Sequence, residues 1–160
     1  MSSDLFQCIE KALLALLLPR GFTRKGSLLL RYSGDVFHLV QPQGSSANTR
    51  TESKCNVNLG VWVPALAPGE KPALASAHWR QRLGMVCPEH SDTWWQTSPQ
   101  QSAPELAAEV AARVERYALP AFASVADAHA LLVIWRGGNS PGLTKVQASR
   151  FTHSLAGLAP

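Results

Sequence analysis

Lys54-Cys55-Asn56-Val57-Asn58-Leu59-Gly60-Val61-Trp62-Val63 is the stretch on which the fold reading turns. Cys55, Val57, Leu59, Val61 and Val63 alternate with Asn56, Asn58, Gly60 and Trp62. A period of two sends successive side chains to opposite faces of a strand. One face is therefore oily and the other mixed and polar. An antiparallel sheet accommodates that asymmetry well, because one face packs on a core while the other meets solvent.

Residues 27–32 and 36–41 read as two further strands before this one, joined by the tight loop Ser33-Gly34-Asp35. Residues 44–53 form a polar loop. Residues 64–75 hold three prolines and a glycine and read as a loop as well. Residues 77–86 give a fourth strand, on which His78, Arg80 and Arg82 share a face. Trp94-Trp95-Gln96 adds a short extended piece, so the sheet has about four to five strands.

Helices flank this block. Residues 4–18 carry Leu5, Ile9, Ala12, Leu13, Leu16 and Leu17 at helical spacing, with Ser2 or Ser3 as cap and Pro19 and Gly21 as stop. Ser102-Ala103-Pro104-Glu105 reads as a capping box opening a helix with Leu106, Val110, Val114 and Tyr117 inward, which Pro120 ends or kinks. A second helix begins near Asp127 and stops at Gly137-Gly138. A third follows Thr144, its cap, to about residue 155. Helix, hairpin-linked strands, then helices is the order of an α+β domain. The expectation is an antiparallel sheet with the N-terminal helix and the C-terminal helices packed on one face.

The 160 residues suit a single domain, 1–160, with a core of 1–123 and a C-terminal helical extension over 124–160. The formal charge is +4. Residues 1–86 carry ten Lys or Arg against five Asp or Glu, and residues 87–160 carry five against six. A net charge this small is far from a nucleic-acid footprint, so nucleic acid is an unlikely partner. Three widely spaced cysteines, Cys8, Cys55 and Cys87, make a poor disulfide framework and fit a reducing, cytoplasmic setting. The apolar run of residues 12–18 is too short to span a bilayer, and Pro19-Arg20-Gly21 follows it in place of a small-residue cleavage site. No membrane association is expected.

On the polar face of the sheet, Asn56, Asn58 and Trp62 lie beside His78, Arg80 and Arg82, with Gln41 joining from the preceding strand. Amides, guanidinium forks and an aromatic ring suit an acidic or planar partner. The plainer reading is a solvated face whose polar residues pair across strands. Trp94 and Trp95 divide in the same way, between an aromatic platform at a rim and a plug between sheet and helices. Asp92 reads as the cap of a turn. Cys87-Pro88-Glu89-His90, with Cys55 and His78, falls short of zinc spacing, so neither a metal nor a cofactor is expected. No nucleophile elbow or phosphate loop occurs.

Gly21-Phe22-Thr23-Arg24-Lys25-Gly26, Asn56-Val57-Asn58-Leu59-Gly60-Val61, Arg80-Gln81-Arg82-Leu83-Gly84, Asp92-Thr93-Trp94-Trp95 and Tyr117-Ala118-Leu119-Pro120 stand in fixed order along the chain. Together they resemble a bacterial family known only as domain of unknown function 4304. The resemblance spans roughly residues 5–123 and implies recurrent positions at Asn58, Gly60, Arg82 and Gly84. Gly60 and Gly84 read as a bulge or a close backbone approach. The resemblance implies a cysteine shortly before Arg-Leu-Gly, where this chain has His78. It supplies no activity.

The expected function is a non-enzymatic binding protein with a protein partner, in particular an immunity-type inhibitor that blocks a bacterial toxin. Gln41, Asn56, Asn58, Trp62, His78, Arg80, Arg82, Trp94 and Trp95 are the candidate contact residues. The alternatives are a small enzyme with a site at His78, Arg80 and Cys87, or a nucleic-acid adaptor.

Overall fold

The computed structural model describes residues 5–45 and 53–158. The proposed caps at Ser2 and Ser3 and most of the polar loop, residues 46–52, lie outside the described residues. The elements in chain order are α1 (Leu5–Leu17), β1 (Thr23–Lys25), β2 (Leu28–Ser33), β3 (Val36–Gly44), β4 (Lys54–Trp62), β5 (Trp79–Arg82), α2 (Leu83–Val86), β6 (Trp95–Gln96), α3 (Ala103–Arg113), α4 (Leu119–Ala123), α5 (Ala128–Arg136) and α6 (Lys145–Leu158).

β4 is the centre of an antiparallel sheet ordered β1-β2-β3-β4-β5, with β6 also pairing β4. β5 takes the Asn58–Val61 part of its edge and β6 the Lys54–Cys55 part. The alternation read from the sequence holds. Cys55, Val57, Leu59, Val61 and Val63 are fully buried in the main core. That core is completed by Leu5, Ile9, Leu13 and Leu17 of α1 and by Leu106, Val110 and Val114 of the α3 segment. The molecule is therefore a mixed α+β fold with an N-terminal helix and C-terminal helices.

The opposite face of the sheet is divided. Leu28, Leu30, Leu39 and Trp62 bury themselves there against Ala67 and Ala77, with Leu74 alongside. The proline-rich connection after β4, which contains the short 3-10 turns Pro64–Leu66 and Leu74–Ser76, folds back over this part. Gly60 lets it approach closely, since a Cβ there would lie 2.9 Å from Leu74 Cδ1.

Two elements differ from the sequence expectation. Thr23–Lys25, where the sequence shows no strand pattern, is an edge strand paired with β2. All three of its residues are exposed, so it has no apolar period to read. The fourth strand stops at Arg82, and Leu83–Val86 coils into a single helical turn. Leu83 still reaches the core, and Gly84 sits tight against the 91–93 segment, where a Cβ would fall 2.1 Å from the Ser91 carbonyl oxygen.

The α3 helix runs on into α4 through a π-helical turn at Val114–Ala118. Leu119 N–H reaches back five residues to the Val114 carbonyl. This wider turn precedes Pro120, which has no N–H to offer and whose ring crowds the turn before it. Pro120 therefore marks an irregularity within a helix rather than its end.

The remaining caps form as expected. Ser102 and Glu105 make the reciprocal capping box of α3. Asp127 Oδ1 accepts from Ala130 N–H at 2.8 Å, and Thr144 and Gln147 bond each other reciprocally before α6. Phe151 of α6 packs between Trp135 of α5 and His78. Among the described residues no single helix is long and apolar enough to cross a membrane.

Candidate functional site

The part of the outer sheet face left uncovered by the 64–77 connection is a cleft of about 780 Å³. Its floor follows from strand register. Gln41 of β3 pairs with Asn58 of β4, and Asn58 pairs with Arg82 of β5. These three form one polar row across three strands. Arg80 stands one step along, opposite Gly60, and Gln43 stands opposite Asn56. The walls come from elsewhere in the chain: Leu74 and Ala75 on one side, Met85 and Asp92 on another, and Gly142 from the connection before α6.

Both arginines are held in place by contacts other than a ligand. Arg80 Nη1 donates to the Ala75 carbonyl at 2.9 Å, and Nη2 donates to the Gly142 carbonyl. Gly142 has φ +80°, and a Cβ there would lie 2.5 Å from Arg80 Cβ, so only glycine allows the approach. Arg82 Nε lies 3.7 Å from Asp92 Oδ1, and its guanidinium sits over the Trp94 ring at 5.2 Å. The same Asp92 oxygen accepts from Asn56 Nδ2 at 3.0 Å. Asp92 thus braces the cleft wall instead of merely capping a turn. One donor nitrogen on each arginine, Arg80 Nε and Arg82 Nη1, is buried with no hydrogen-bond partner among the described residues.

The amides are also ordered. Asn58 Nδ2 donates to Gln43 Oε1 at 2.9 Å, and Gln41 Nε2 donates to Ser27 Oγ at 2.8 Å. The cleft lining contains no histidine, cysteine or lysine, and Asp92 is its one carboxylate among the described residues. Such a surface can bind an anionic, hydrogen-bonding group. It offers no nucleophile paired with a base.

The other candidate residues take different places. Asn56 is buried under Asp92, and Trp62 is buried beneath the 64–77 connection. His78 is buried between Trp62 and Phe151, and its Nδ1 accepts from Val63 N–H at 3.0 Å. Burial pushes its pKa down to about 4, so the ring is neutral at neutral pH. It lines a smaller cavity of about 300 Å³, which Arg80 separates from the main cleft by contributing to both. Trp95 fills the core while Trp94 is half-buried beneath Arg82. Cys87 lies in the core beside Arg113 and lines neither cavity; burial raises its thiol pKa. His78 and Arg80 therefore meet only at the smaller cavity, and Cys87 joins neither. Among the described residues no three His, Cys, Asp or Glu side chains cluster as metal ligands would, and Cys8, Cys55 and Cys87 form no disulfide.

Of the nine candidate contact residues, Gln41, Asn58, Arg80 and Arg82 meet in the cleft. Gln43, Asp92 and Gly142 belong with them and were not singled out as contacts. Gln43 continues the two-residue period of β3 from Gln41, a signal that reading the strand two residues further would have caught. Gly142 is brought in from sixty residues away by the packing of α5 and α6, and nothing local announces it.

The chain belongs to the family described as Domain of unknown function (DUF4304), whose model matches residues 13–124. No curated protein and no solved structure matches it. The matched segment includes β1 to β6 and α2 to α4, hence all of the cleft except the wall supplied by Gly142.

Proposed function

We propose that this member of the family is a non-enzymatic binding protein whose partner, a protein, docks on the cleft of the outer sheet face. The observation that supports this most is the convergence of Gln41, Asn58, Arg80 and Arg82 from three strands on one concave surface of about 780 Å³. Arginine anchors in partly desolvated positions are frequent energetic centres of protein interfaces. In its more specific form the reading is an immunity-type protein acting in the cytoplasm, which blocks a toxin by occluding the toxin's own active site. Cys87 lies apart from the cavity that His78 and Arg80 share, and His78 is absent from the main cleft, which favours binding over the small-enzyme alternative.

Affinity capture with the tagged chain from a lysate of the source organism tests this, run beside Arg82→Glu and beside Arg136→Glu, a charge reversal at an exposed position of α5. A stoichiometric protein partner should come down with the unaltered chain and with Arg136→Glu, and should be lost with Arg82→Glu. A partner retained equally by all three would overturn the cleft as the docking surface.

A further inference from the structure

We infer that the group seated between Arg80 and Arg82 is a single carboxylate, carried by an acidic side chain on an extended segment of the partner. The inference rests on the cleft reading above and names its ligand.

The two buried, unpaired donors carry the first part. Among the described residues Arg80 Nε and Arg82 Nη1 lack acceptors, while Arg80 Nη1 and Nη2 are engaged by Ala75 and Gly142 and Arg82 is held by Asp92 at Nε and by the Trp94 ring. A buried donor without a partner is a standing penalty that an incoming acceptor removes, and the effect is larger for a charged group. Because both side chains are held beforehand, little rotamer freedom remains to be lost on binding. A carboxylate is the planar, two-oxygen acceptor that matches a guanidinium fork.

Charge carries the second part. Among the described residues lining the cleft, Asp92 is the one carboxylate against Arg80 and Arg82, which leaves one positive charge in excess. A carboxylate monoanion neutralises it. A phosphate monoester brings a charge of about −1.5 to −2 at neutral pH and would place excess negative charge beside Asp92. The remaining surface suits a peptide: Gln41, Gln43 and Asn58 each carry a donor and an acceptor to match main-chain groups, and Leu74 and Met85 meet the aliphatic stem.

The test is an NMR titration of the whole chain, read at arginine side-chain N–H and backbone amide signals. Three probes are used: acetyl-Glu-Glu-Glu-amide, acetyl-Gln-Gln-Gln-amide and inorganic phosphate. The Glu peptide should bind saturably, shift the Arg80 and Arg82 side-chain signals, and exceed both other probes in affinity. Arg82→Gln should weaken it about tenfold or more, the scale of one charge-assisted hydrogen bond, with the backbone fingerprint unchanged. Should that variant not fold, Asp92→Asn is the second reading, and it should raise affinity for phosphate relative to the Glu peptide. Equal binding of the Glu and Gln peptides, no binding of either, tighter binding of phosphate, or indifference to Arg82→Gln in the folded chain each overturns the inference. A captured partner that Arg82→Glu abolishes but the Glu peptide does not compete for would overturn the carboxylate and leave the cleft standing. A partner indifferent to Arg82→Glu removes the cleft reading itself.

Discussion

Gly84 shows how one missing side chain shapes the cleft. A Cβ there would meet the Ser91 carbonyl at 2.1 Å and the Thr93 nitrogen at 3.0 Å, both backbone atoms that have no rotamer to yield with. The close approach brings Asp92, between them, to Asn56 and Arg82. Gly84→Ala should therefore destabilise the chain by about 2 kcal/mol or more, as overpacking does, measured by urea unfolding. The sequence reading placed a close approach at Gly60 and Gly84, and both are in tight contact. It could not say what each glycine approaches, because those neighbours come from loops. His78 shows a second limit. Its strand parity put it on the outer face, but parity says nothing about what lies above, and Trp62 and Phe151 enclose it. Its folded pKa of about 4 lies below the ordinary 6.5. The unfolded chain binds the extra proton first, so this group's stabilising effect is present above pH 6.5 and fades as pH falls towards 4. Urea midpoints should decline over that window, and less so in His78→Gln.

At the scale of elements, strong periodicity was legible and weak periodicity was not. β4 and α1 carried an unambiguous apolar set, and both appear where the pattern placed them, α1 as Leu5–Leu17. β1 has three exposed residues and no such set. In β5 and α2 the alternation of Trp79, Gln81 and Leu83 invites a longer strand, yet packing of Gly84 against the 91–93 segment turns the chain after Arg82. Tertiary contact overrode the local pattern there. Other local signals proved to have a long-range side. Asp35, read as part of a hairpin loop, accepts Ala128 N–H at 2.8 Å across ninety-three residues, which satisfies a free donor in the first turn of α5. Asp35→Ala should behave as the loss of a helix cap, lowering stability by about 1 kcal/mol, seen as a shifted urea midpoint and faster amide exchange in α5.

For the molecule as a whole, the expectation of one oily and one polar sheet face was half of the arrangement. The oily face packs on α1 and α3 as the alternation implied. The outer face has a small core of its own around Trp62 and Leu39, roofed by the proline-rich connection, and this confines the open polar surface to Gln41, Gln43, Asn58, Arg80 and Arg82. Register gave four of those positions; the roof and the Gly142 wall are properties of the assembled chain and leave no local trace. That division is why the binding surface is a cleft and not a flat sheet. The most direct test of its role is amide hydrogen exchange of the chain, free and with its captured partner bound. Slowed exchange concentrated in β4 and β5 around Asn58 and Arg80 to Arg82, and in the 74–75 and 91–93 segments, is the predicted result. Protection confined to the exposed sides of α1, α3 or α5, with the cleft segments unchanged, would contradict it.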